Sequence, residues 1–128
     1  MNEQHDAITS IVIGCAFDVV NELGIGFLEL VYHNALRIAI AQKGLSVSSQ
    51  HPISVMFRGE IVGTFSADLL VEGVVIVEIK AVKALAPEHS AQLINYLNAT
   101  SMESGLLINF GNQKLEVKRL NRNKVPTT

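Results

Sequence analysis

From Asp68 to Lys80 the chain reads Asp-Leu-Leu-Val-Glu-Gly-Val-Val-Ile-Val-Glu-Ile-Lys. Two apolar runs flank a Glu72-Gly73 turn signal, so the stretch predicts a β-hairpin. Charges interrupt it at Asp68, Glu78 and Lys80. Successive strand residues point to opposite faces, which sets Glu78 and Lys80 on one face and Val77 and Ile79 on the other. Where Asp68 falls depends on the turn. A two-residue loop pairs Asp68 with Val77, whereas a three-residue loop with Gly73 at positive φ pairs Asp68 with Glu78. One step of register swaps every side chain between faces. We take the odd register, which gathers Asp68, Glu78 and Lys80 at one edge. It leaves Phe65, Ala67, Leu69, Val77 and Ile79 for the opposite, packed face.

Two neighbouring carboxylates repel unless a proton or cation lies between them. Hard oxygen donors of this kind suit Mg²⁺ or Mn²⁺. A lysine on the same face can hold a water and offset charge growing on phosphorus. Metal-assisted phosphodiester hydrolysis is thus one purpose for the pattern. On these three residues alone, a strand with a solvated polar face explains it equally well.

The remaining elements fit one α/β domain over residues 1–128. Apolar residues reach 48%, enough for a packed core. No apolar run approaches the roughly 18 residues of a membrane span. The start lacks a secretion-type pattern, and Cys15 is the single cysteine, which excludes an internal disulfide and a cysteine-based zinc site. A cytoplasmic setting follows, with Cys15 as a small buried hydrophobe. The net charge of −2 argues against a nucleic-acid-coating protein, whose footprint is a basic stripe. It leaves room for a nuclease, because a bound metal brings positive charge to the phosphate.

Helical spacing predicts a first helix from about Asp6 to Leu23, with Ile8, Ile11, Val12, Cys15, Val19 and Leu23 inward. A second runs from near Gly26 to about Lys43, closed by Gly44, with Leu28, Val31, Ala35, Leu36 and Ala39 buried. Leu45–Ser49 reads as a short strand or an extended linker. Strands follow through Ile53–Phe57, Ile61–Val71 and Val74–Lys80, with Arg58-Gly59-Glu60 as a turn. These three make an antiparallel meander. Pro87 opens a helix to about Met102, which Gly105 ends. Leu106–Phe110 is a strand buried on both faces, parallel to the strand ending at Lys80. Leu115, Val117 and Arg119 alternate in a last strand, and 121–128 is a polar tail. The fold class is therefore α/β, a mixed sheet (antiparallel meander plus parallel strand) flanked by helices.

Gly26-Phe27-Leu28-Glu29-Leu30-Val31-Tyr32 resembles the signature of the GxxExxY proteins, a small bacterial and archaeal family within the PD-(D/E)XK nuclease superfamily. The resemblance runs from about Ile11 to Arg119. Asp68-Leu69-Leu70-Val71 is similar to the family's strand acid, and Glu78-Ile79-Lys80 to its ExK. Gln92-Leu93-Ile94-Asn95-Tyr96 resembles the QxxxY element of RecB-like nucleases. The resemblance implies a restriction-endonuclease-like core and hydrolysis of DNA, ahead of RNA, by a metal-activated water. It implies Mg²⁺ or Mn²⁺ on Asp68, Glu78 and the Ile79 carbonyl, with Glu29 joining directly or through a water. Lys80 would orient the attacking water and stabilise the transition state. Gln92 and Tyr96 would support the site or touch the nucleic-acid backbone. Gly26 and Tyr32 take structural roles, and His33 and His89 are not read as ligands. The alternative is a catalytically silent module of the same fold that binds nucleic acid or protein. A homodimer, or an unidentified protein partner, is compatible with either.

Overall fold

The computed structural model describes residues 3–122. In chain order the elements are α1 (Glu3–Leu23), α2 (Glu29–Gln42), β1 (Val47–Phe57), β2 (Glu60–Val71), β3 (Val75–Lys80), α3 (Pro87–Thr100), β4 (Ser104–Asn109) and β5 (Glu116–Asn121). The strands form one five-stranded sheet in the order β1-β2-β3-β4-β5. The β3–β4 pair is parallel and the other three are antiparallel. The mixed α/β sheet expected from the sequence is the sheet observed.

The hairpin between β2 and β3 takes the odd register. Leu69 faces Val77 and Val71 faces Val75, which leaves a three-residue loop of Glu72, Gly73 and Val74. Gly73 sits at φ 69° and Glu72 at φ 53°. The strained, non-glycine Glu72 is held from both ends: its N–H donates to Ser46 O, and its Oε2 accepts from Ser46 N–H. Ser46, bonding the carboxylate through its backbone N–H and its side chain, lowers the Glu72 carboxyl pKa.

Helices α1 and α2 cover one face of the sheet. Their Val12, Cys15, Tyr32, Leu36 and Ile40 pack on Leu69, Val77, Ile79, Leu106, Ile108 and Phe110. Among the described residues helix α3 alone covers the other face, where Leu93, Tyr96 and Leu97 meet Ile53, Ala67, Leu70, Ile76 and Leu107. The buried Cys15 is the hydrophobe expected. A Cβ on Gly105 would come within 3.0 Å of Leu93 Cδ1, so this glycine lets α3 lie close on β4.

Several expectations are corrected. Gly105 lies inside β4; Ser101, in the left-handed conformation at φ 59°, ends α3. Helix α2 starts at Glu29 rather than Gly26 and buries Tyr32, His33, Leu36 and Ile40, while Leu28 is 81% exposed and Val31 also faces out. The reason is the stacking of Tyr32 on Phe110, at 4.7 Å between ring centroids, which rotates the helix away from the aliphatic stripe. Ile11 and Leu23 are exposed on α1. Residues 47–49 belong to β1 rather than to a separate strand or linker.

Phe65 and Ala67 also miss the packed face assigned to them. Ala67 is buried on the α3 side, and Phe65, 47% exposed, lies against the Tyr96 ring on that same side. The cause is a break in β1, where Gln50 adopts φ 52°. Ser49 pairs with Leu69 and His51 with Ala67, but Gln50 does not pair with Asp68. Alternation resets across that gap, so Ala67 and Leu69 take different faces. Of the polar tail, Asn121 closes β5, and 123–128 lie outside the described residues.

Candidate active site

Strands β2 and β3 part just beyond the Leu69–Val77 pair. At that point side chains replace the backbone ladder. Asp68 N–H donates to Glu78 Oε1 at 3.1 Å, and Ile79 N–H donates to Asp68 Oδ2 at 2.7 Å. The two carboxylates therefore cross-link the parted strands, each held by the other's strand. Glu78 is 5% exposed and Asp68 is half-buried. The Glu78 carboxyl is pushed up to about 8, first by burial and next by the charge of Asp68. The Asp68 N–H and the Lys80 ammonium pull the other way.

Lys80 ends β3 on the α3 side, where its Nζ donates to Gln92 Oε1 at 3.5 Å. Tyr96 lies one turn further along α3 and is buried. Burial, then the charges of Glu78 and Asp68, raise its phenol pKa. The structure thus brings Asp68, Glu78, Lys80, Gln92 and Tyr96 to one side of the sheet. Glu29 lies apart from this group: it is solvent-exposed in the first turn of α2, the helix on the opposite face.

A divalent cation fits the carboxylate pair by donor chemistry. The Asp68 and Glu78 carboxyls lie close enough to repel and to share a side-chain hydrogen bond, so the two groups present their oxygens to one point. The raised Glu78 pKa means that the metal-free pair retains a proton that a cation would displace. Among the described residues no group of three or more His, Cys, Asp or Glu side chains could hold a metal. Two carboxylates and several waters suit Mg²⁺ or Mn²⁺ better than a closed tetrahedral site.

The histidines have other occupations. His89 Nδ1 accepts from Ala86 N–H at the start of α3, and His33 Nε2 lies 3.3 Å from Ser49 Oγ. Tyr32 is a structural staple: its hydroxyl donates to Gly24 O at 2.8 Å and accepts from Phe27 N–H at 3.2 Å. Gly26 takes φ 106° within the loop so tied.

Sequence reasoning missed Asn109. Fully buried on β4, it accepts from Val82 N–H and Gly111 N–H and donates to Val82 O and Glu116 Oε1. It fixes the segment that leaves Lys80. Its only trace in the sequence is a polar residue closing an apolar strand.

The acidic pair at a parted sheet, with a lysine two residues on, lies on a restriction-endonuclease-like α/β core. The chain belongs to the PD-(D/E)XK nuclease superfamily, whose family model matches residues 6–120. Nucleases of this superfamily generally use divalent metal ions. Two solved structures share the fold. SSO0001 is 17% identical with a TM-score of 0.59, over 76% of this chain and 52% of that one. An alkaline exonuclease, LHK-Exo from Laribacter hongkongensis, is 20% identical with a TM-score of 0.54, over 74% and 56%. The chain spans about half the length of these structures. No curated protein matches it at a significant level. Among the described residues no helix is long and apolar enough to cross a membrane.

Proposed function

We propose that this protein is a Mg²⁺- or Mn²⁺-dependent nuclease that hydrolyses phosphodiester bonds of DNA, and that it belongs to the GxxExxY branch with a RecB-like Gln92…Tyr96 element. The observation that carries the reading is the crossed carboxylate pair, Asp68 and Glu78, with Lys80 on the same side. Asp68, Glu78 and the Ile79 carbonyl would hold the cation; Glu29, on the helix of the opposite face, would reach it through bound water rather than directly. The cation would supply Lewis acidity at the phosphate and lower the pKa of a bound water. Lys80 positions the attacking water and offsets charge that builds on the phosphate oxygens. Gln92 aims the Lys80 ammonium. Tyr96 closes the inner wall and limits water around the pair. The free, buried Cys15 suits a reducing cytoplasm.

A second reading is a catalytically silent nucleic-acid or protein binding module. It is favoured by the exposed Glu29 and by the two-carboxylate donor set. Calorimetry with Mn²⁺, paired with a DNA cleavage assay, separates them. The nuclease binds Mn²⁺ and cleaves; Asp68→Ala loses both; Lys80→Ala keeps the metal and loses cleavage. Persistent cleavage by Lys80→Ala removes the nuclease reading. Wild-type protein that binds no Mn²⁺ leaves the module.

A further inference from the structure

Beside the carboxylate pair lies a cavity of about 680 Å³, between the outer side of α3 and the β1–β2 hairpin. Its size is within the roughly 300–1,000 Å³ of small-ligand pockets. The break at Gln50 creates it, because the reset of alternation turns Phe65 toward α3. Phe65 and Tyr96 supply aromatic wall, their rings tilted by 36° with centroids 5.7 Å apart. Gln92, Asn95 and Asn98 line it with carboxamides, and among the described residues Glu88 is its sole charge.

This lining selects a ligand type. Among the described residues no lysine or arginine lines the cavity, and Glu88 repels anions, so a phosphate does not belong there. A carboxamide offers both a donor and an acceptor, as the edge of a nucleobase does. Aromatic faces stack on bases of any identity. Two residues link the cavity to the carboxylate pair. Gln92 both lines it and holds Lys80, while Tyr96 both lines it and feels both carboxylates. A base within a duplex cannot reach such a recess without leaving its stack.

We infer that this cavity is a nucleobase subsite, which takes an unpaired base next to the phosphate held at Asp68 and Glu78 and so directs the enzyme to single-stranded nucleic acid. The inference rests on the nuclease reading for the position of the phosphate. Its test is binding without turnover.

The probe is a short thymidine strand carrying one 2-aminopurine, with its blunt duplex as comparison, titrated in Ca²⁺ against a Glu78→Gln background. The expected result is single-strand binding with quenched 2-aminopurine fluorescence, and at least about tenfold weaker duplex binding. Stacking of about 1–3 kcal/mol per base makes Phe65→Ala raise the single-strand Kd roughly 5- to 150-fold, and Phe65→Tyr restore it. Asn95→Ala, on an exposed ridge of α3, raises the Kd and changes the preference among bases. Unfolding curves confirm that each variant is folded. Unchanged affinity in Phe65→Ala and Asn95→Ala overturns the inference, as does equal binding of duplex and single strand. Failure of the nuclease reading shows separately, as absence of Mg²⁺-dependent cleavage by wild-type protein that still binds and quenches the probe.

Discussion

On the α1–α2 face the sheet meets two helices, whose buried polar residues are His5, Thr9 and His33. On the α3 face it meets one helix and a smaller cluster, and there the buried Glu78, half-buried Asp68 and Lys80 collect beside an open cavity. Both faces belong to the same strands and alternate residue by residue. The first face holds the strands in place by packing. The second can therefore tolerate a parted ladder and a raised carboxyl pKa, since its partner face supplies the stability. A site of this kind needs a stable face behind it as much as ligands in front.

Substitutions can break this division. The largest expected effect is on the packed face: Leu36→Ala, at a fully buried site, should cost about 2–5 kcal/mol in urea unfolding. A comparable loss from Gln92→Ala on the α3 face would show that the faces share the load. Next comes Gly111→Ala, whose Cβ would fall 2.3 Å from Val82 backbone atoms. Relief of that clash should cost roughly 1–3 kcal/mol and displace the segment leaving Lys80, seen as amide shifts from 81 to 86 in NMR spectra.

A smaller effect, with a defined sign, concerns pH. The folded state keeps the Glu78 proton up to about 8, whereas the unfolded chain releases it near 4.5. Metal-free stability is therefore complete below about 4.5 and declines as pH rises through about 8. Melting in EDTA should show this decline, Glu78→Gln should flatten it, and Mn²⁺ should reverse it in the wild type. A flat wild-type profile would mean that neither burial nor the Asp68 charge raises the Glu78 carboxyl. The smallest effect is expected at Leu28→Ser, within about 0.5 kcal/mol, because this side chain is outside the core.

The register that sets Asp68 opposite Glu78 was legible as one of two choices at the Gly73 turn, and alternation carries it as far as the Leu69–Val77 pair. The parallel β3–β4 pair was legible because a strand–helix–strand order permits little else. The inward side of α2 was not, since Leu28 and Val31 have helical spacing as good as that of Tyr32 and Leu36. The choice between them is made by Phe110, far along the chain. The cavity was hidden for a similar reason. A glutamine at positive φ has no mark in the sequence, and Gln50 moves Phe65 to the other face.

The amide clamps on Asp68 and Glu78 have a thermodynamic consequence. A carboxylate that already accepts a main-chain N–H has lost most of its rotamer freedom before any ion arrives. Ordering of these two side chains is completed during folding, so ion capture should release water and a proton while freezing little of the polypeptide.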